Sequence, residues 1–139
     1  GPSQPLSSGV YAFKACSKIQ LKNSDVITFH SYDKLPKMKQ LVQRLQKTGR
    51  PLVCTEYMCR PTCTFANALP YLAGQNVGAI NWGLVSGKTQ TIYPWSTWMK
   101  PMNHEPDPWF HDIFKPDYTP YNTQEVELIK KYCIPPGKE

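Results

Sequence analysis

Two short runs are apolar almost without interruption: Pro51-Leu52-Val53-Cys54-Thr55-Glu56-Tyr57-Met58 and Val77-Gly78-Ala79-Ile80-Asn81-Trp82-Gly83-Leu84-Val85. A strand with one wet face alternates polar and apolar residues, whereas a strand covered on both faces does not. Both runs therefore predict interior strands. Residues 25–32, DVITFHSY, are β-branched and aromatic and predict a third strand. Residues 5–11, PLSSGVY, are bounded by Pro and Gly and predict a short first strand. Helical patterns separate these runs. Leu35, Met38, Leu41, Val42 and Leu45 recur at helical spacing, with Pro36 in the first turn and Gly49 at the end. Thr64 to about Ala73 predicts a second helix that Pro70 should shorten or kink. Asn122 and Glu125 form a capping-box-like pair opening a last helix through about Tyr132, with Val126, Leu128 and Ile129 inward. Such alternation implies parallel strands with right-handed crossovers, so the fold class is α/β.

The 139 residues suit a single domain, 1–139, and 40% hydrophobic residues suffice for a core. With 19% charged residues the chain is not of the disordered class. No stretch approaches the roughly 20 apolar residues of a membrane-spanning helix, and no signal-peptide pattern occurs, so no membrane partner is expected. The net charge of +6 raises the question of nucleic acid. Six cations (Lys34, Lys37, Lys39, Arg44, Lys47 and Arg50) fall on or beside the first predicted helix, where they solvate its polar face. They are not interleaved with aromatics, as a single-strand platform requires, and nucleic acid is not expected.

Fourteen prolines and seventeen aromatics (four Trp, eight Tyr, five Phe) favour long structured loops and flat stacking surfaces. Residues from about 86 to 121 lack helical or strand periodicity yet hold three of the four tryptophans. Loops of that length in compact domains are usually functional. Five cysteines (Cys16, Cys54, Cys59, Cys63 and Cys133) argue against a closed disulfide framework. Cys59 and Cys63 allow a local disulfide in an oxidising compartment; a zinc site lacks a second ligand pair. Cys54, within a strand, reads as a small hydrophobe. Neither a metal nor a cofactor is expected.

In parallel α/β folds, ligands bind at the carboxyl ends of the strands. The three main strands place His30 and Tyr32, then Glu56 and Tyr57, then Asn81 and Trp82 there. Each alone has a structural explanation. An acid, an imidazole and a phenol at matching ends are not what core packing selects.

His30-Ser31-Tyr32, Thr55-Glu56-Tyr57-Met58, Asn81-Trp82-Gly83 and Gly87-Lys88-Thr89-Gln90-Thr91-Ile92-Tyr93-Pro94-Trp95 carry a family resemblance. They resemble the retaining glycoside hydrolases of clan A, cellulase-like (β/α)8 TIM barrels close to family five. The likeness runs from Gln4-Pro5-Leu6 through Trp109-Phe110-His111-Asp112-Ile113-Phe114 to the last helix. It implies that Glu56 is the nucleophile at the end of the seventh strand. His30 and Tyr32, ending the sixth, would orient it, and Trp82, ending the eighth, would stack on the sugar. Asn81, Tyr57, Lys88 and Trp95 would join the substrate-binding set; that Lys88, Trp95, Tyr93 and Trp98 shape further subsites is an expectation from the composition of the long loop, not from the resemblance.

The resemblance begins near the fifth strand, which implies a parallel half-barrel of strands five to eight. The segment bearing the acid/base Asn-Glu pair is then missing, although retaining hydrolysis needs two carboxylates about 5–5.5 Å apart. Asp33, opening a helix, and Glu105, in a loop, do not fit that role. The implied activity is hydrolysis of a β-linked poly- or oligosaccharide, with the acid/base on a complementary N-terminal half-barrel or a second copy of the chain. The alternative is a non-catalytic carbohydrate-binding or protein-interaction module derived from a hydrolase half. The resemblance points to a secreted protein, and the residues themselves do not set a compartment.

Overall fold

The computed structural model describes residues 1–10 and 14–133. Its centre is a parallel three-stranded sheet in the order β1 (Ile27–Ser31), β2 (Leu52–Tyr57), β3 (Gly78–Ala79). Helix α1 (Lys14–Asn23) precedes β1, α2 (Leu35–Gln46) connects β1 to β2, and α3 (Phe65–Gly74) connects β2 to β3. A 3-10 turn (Trp95–Trp98) lies in the long loop, and α4 (Thr123–Cys133) follows it. The α/β class and the parallel strands agree with the sequence pattern. None of these helices is long and apolar enough to cross a membrane.

The helices cover one face of the sheet. Met38, Val42 and Leu45 of α2 and Phe65, Ala68, Leu69 and Leu72 of α3 are buried with Ile27, Phe29, Leu52, Cys54 and Tyr57. The opposite face is not closed: Thr28, Val53 and Glu56 are half-buried there and His30 is exposed. The apolar runs therefore do not mark strands buried on both sides, a correction to the sequence reading. Val53, the apolar residue on that side of β2, is only partly covered.

Register supplies the detail that matters most. Phe29 pairs with Cys54 but His30 pairs with Glu56, so Thr55 is an extra residue on β2. A bulge of this kind restarts the alternation of side chains. Without it, Glu56 would point into the helix-covered core and Tyr57 away from it. With it, Glu56 stands beside His30 on the open face, and Tyr57 is buried edge-on against Phe65.

Helix boundaries follow local chemistry. Gly49, at φ +68°, ends the turn after α2, its N–H donating to Gln46 O. Thr64 Oγ1 accepts the Asn67 N–H at the start of α3. That helix runs through Pro70 to Gly74, because four buried side chains on one face outweigh the single backbone bond proline removes. Asn122 Oδ1 accepts from the N–H groups of Gln124 and Glu125 at the start of α4. Helix α1 is not visible in the sequence pattern, as Ile19 is exposed and the stripe is weak. Arg50 buttresses its end, donating through Nη1 to the carbonyls of Leu21 and Ser24.

Two strand expectations are trimmed. Of residues 5–11, Val10 alone bridges Phe29 in parallel, its N–H donating to Thr28 O, and Tyr11 lies outside the described residues. Of residues 77–85, Gly78 and Ala79 form β3, and Ile80 and Trp82 still donate to Cys54 O and Tyr57 O. Gly83 then turns the chain at φ +87°, where a Cβ would come within 2.8 Å of Asp112 Oδ1. Beyond it Val85 pairs with Phe114 of the long loop instead.

Cys54, Cys59 and Cys63 are buried and their thiols are free, so the local disulfide is not formed. Cys59 and Cys63 are joined by backbone bonds, while their thiols turn to Thr62 Oγ1 and Ser31 O respectively. Burial pushes the Cys54 thiol up to about 12 and the Cys63 thiol up to about 11. Above pH 9 the unfolded chain loses these protons while the folded chain keeps them, so stability falls as pH rises. Urea unfolding between pH 9 and 11 is expected to show a steeper decline in wild type than in Cys54→Ala. Equal slopes would refute the assignment.

Candidate active site

Glu56 is the centre of a cluster at the carboxyl ends of β1 and β2. The Tyr32 hydroxyl donates to Glu56 Oε2 at 2.9 Å, and His30 Nδ1 lies 3.2 Å from the same oxygen. The Glu56 side chain is 25% exposed and His30 42%, so the group is reachable from solvent. Oε1 has no partner among the described residues. Burial, followed by the hydrogen bond to Glu56, pushes the Tyr32 phenol well above its ordinary value. Tyr32 therefore stays a neutral donor across the physiological range.

The long loop lands on this cluster through Trp95. Its ring meets Tyr32 edge-on with centroids 4.9 Å apart, and Phe110 at 4.8 Å. Behind them is His111, a residue whose role the sequence did not reveal. It is buried, its ring lies 5.5 Å from Tyr32, and its Nδ1 is 2.7 Å from Met58 O. A carbonyl only accepts, so Nδ1 carries the proton and Nε2 presents a lone pair. Burial lowers its pKa and keeps the ring neutral. Met58 adopts φ +73° immediately after β2. No sequence period links positions 58 and 111, and the aperiodic loop hides the contact.

The remaining predicted residues separate. Trp82 stands half-exposed past β3, tied by its backbone to Tyr57 O. Asn81 donates through Nδ2 to Gly83 O at 2.6 Å and so shapes the turn after β3. Tyr57 lies apart from the Glu56 cluster, because the bulge at Thr55 turns it into the core. Lys88 is exposed on the loop, and no described contact ties it to the Glu56 cluster.

A second carboxylate is the conspicuous gap. Of the chain's ten acids, Glu139 lies outside the described residues. Asp33 pairs with Lys37, Glu105 accepts from the Trp109 indole, and Asp112 accepts from Thr91. Asp25, Asp107, Asp117, Glu125 and Glu127 are likewise engaged away from Glu56. Among the described residues no group of three or more His, Cys, Asp or Glu is arranged to hold a metal ion. No family model, no curated protein and no solved structure matches this chain.

Proposed function

We propose that Glu56 is the nucleophile of a retaining β-glycosidase site acting on a β-linked poly- or oligosaccharide. The observation that carries this reading is the grip on one oxygen. Tyr32 and His30 both engage Oε2, which leaves Oε1 free on the open side of the sheet, at the strand ends where parallel folds bind ligands. In the first step Oε1 attacks the anomeric carbon and the bond to the leaving oxygen breaks. That oxygen takes the electron pair and needs a proton. Oε2 becomes the carbonyl of the glycosyl ester and keeps the Tyr32 hydrogen bond. Water then attacks the anomeric carbon, and the bond to Oε1 breaks with its electron pair returning to the Glu56 carboxylate. The water's proton goes to the conjugate base of the acid that served the first step. Half-exposed Trp82 offers a face for sugar C–H groups.

The acid that protonates the leaving oxygen comes, in this reading, from a further segment. We take the sheet as the C-terminal half of a (β/α)8 barrel, completed by an N-terminal half or a second copy. Consecutive strands are spatial neighbours, Val10 extends the order outward from β1, and one sheet face is left open. Ile80 and Leu84 are exposed apolar residues on the β3 side, where a covering segment would bury them.

A non-catalytic carbohydrate-binding module is the second reading, favoured by the engagement of every other described acid elsewhere. Isothermal titration with cello- and manno-oligosaccharides, beside a hydrolysis assay on the completed assembly, separates the two. Binding to at least one series is expected, weakened in Trp82→Ala, with turnover only in the assembly. Binding without turnover there would establish the module instead; no binding to either series would remove both.

A further inference from the structure

His111 stands where the strand that carries Glu56 leaves the sheet. The Tyr57 carbonyl still accepts the Trp82 N–H. The next carbonyl, that of Met58, is met instead by His111 Nδ1 at 2.7 Å. Met58 is fully buried and adopts φ +73°, a backbone conformation that residues other than glycine rarely take. Two residues on, the Arg60 N–H donates to Phe110 O. These two bonds sew residues 58–60 to residues 110–111.

His111 is itself fixed from behind. Its N–H donates to Thr91 O, and that of Phe110 to Ile92 O. Gly83, at φ +87°, passes so close that a Cβ there would come within 2.8 Å of His111 Cβ. The imidazole centre lies 4.6 Å from the Phe110 ring, 5.7 Å from Trp95 and 5.5 Å from Tyr32. A phenyl ring would fill the same aromatic surroundings. It would also avoid burying Nε2, which has no partner among the described residues. What the imidazole adds is the Nδ1–H on Met58 O.

That carbonyl bears on both sides of the Tyr32–Glu56 hydrogen bond. Glu56 lies two residues before Met58, just past the bulge at Thr55. Four residues after Met58, Thr62 Oγ1 donates to Tyr32 O at 2.8 Å. Rotation of the Met58 peptide would displace the strand end on one side and the anchor of Tyr32 on the other.

We infer that His111 is a positioning residue for Glu56, its Nδ1–H holding the Met58 turn that keeps Glu56 Oε2 against the Tyr32 hydroxyl. The inference rests on the nucleophile reading of Glu56 and adds to it a residue that acts only through the backbone.

The test is labelling of wild type, His111→Asn, His111→Gln and His111→Phe, each in the completed assembly. The reagents are the 2,4-dinitrophenyl 2-deoxy-2-fluoro-β-glucoside and β-mannoside, whose leaving group needs no proton. Asn offers an amide donor as many bonds from the backbone as Nδ1, Gln offers one a carbon further out, and Phe offers none. His111→Gln and His111→Phe are expected to lower the maximal labelling rate per folded molecule by on the order of tenfold, at unchanged reagent affinity. His111→Asn should recover most of that loss. A ring that only packs would change the folded fraction and leave the rate of the folded molecules alone. Where His111→Phe does not fold, the contrast between Asn and Gln decides. Nitrogen NMR of wild type adds a check free of sugar, with the ring proton expected on Nδ1. A proton on Nε2, equal rates in the Asn and Gln variants, or the wild-type rate in His111→Phe overturns the positioning role and leaves the Glu56 reading standing. Wild type that neither reagent labels overturns both.

Discussion

Replacing Arg60 with alanine is expected to cost about 3–5 kcal/mol of folding stability, the usual effect of stripping one partner from a buried ion pair. The Arg60 side chain is 6% exposed and Glu125 15%. Its Nε and Nη2 both reach the Glu125 carboxylate, the closest contact being 2.8 Å. Nη1 donates to Trp109 O and Nη2 to Asp112 O, each at 2.8 Å, and the guanidinium lies 4.5 Å from the Tyr121 ring centre. Alanine would leave a carboxylate and two carbonyls without their donors. A domain of this size holds only about 5–15 kcal/mol in total, so the loss is a large fraction.

Lysine is not an adequate substitute. Its single ammonium cannot present the planar fork that reaches a carboxylate and two carbonyls together. Replacing both partners, as in Arg60→Met with Glu125→Leu, should recover part of the loss, because the unpaired charge is then removed as well. Urea unfolding checks all three variants. A loss below about 1 kcal/mol in Arg60→Ala, the value of an exposed pair, would contradict the network's role. The consequence reaches the site. Arg60 holds residues 109–112, and Phe110 and His111 in that stretch back Trp95 against Tyr32.

The elements with strong periodicity were legible from residues alone. Strands β1 and β2, helices α2, α3 and α4, and the parallel arrangement follow from apolar spacing and capping residues. Helix α1 was not, because its stripe is weak and its end is held from outside by Arg50. The site was legible in composition but not in register. Leu52 to Tyr57 contains too few polar residues to show where alternation restarts, so the bulge at Thr55 has no signature. Glu56 and Tyr57 therefore read alike in the sequence, although the bulge puts only Glu56 on the open face of the sheet. The Asn81 bond to Gly83 O has no sequence signature either, since side-chain amides often satisfy a local turn. Arg60 carries no sequence signal of its role, because its partners lie 49 to 65 positions further along the chain.

The second large effect concerns Glu56 itself. Retaining chemistry needs the acid chiefly to protonate a poor leaving group. A 2,4-dinitrophenyl 2-deoxy-2-fluoro-β-glycoside removes that need, because dinitrophenolate departs unprotonated. The fluorine slows hydrolysis of the ester, so the glycosyl-enzyme accumulates. Glu56 Oε1 would form the new bond to the anomeric carbon as dinitrophenolate leaves with the electron pair. In Glu56→Gln the amide is too weak a nucleophile, and the adduct should vanish, not merely diminish. Tyr32→Phe should slow labelling without preventing it, since His30 still holds Oε2.

The decisive measurement is peptide mass spectrometry of the chain in its completed assembly after incubation with the fluoro-glucoside and the fluoro-mannoside. One glycosyl unit on Glu56 is expected, with dinitrophenolate released in matching amount, and neither in Glu56→Gln. An unlabelled Glu56 with both reagents, or a label on another residue that survives in Glu56→Gln, would contradict it.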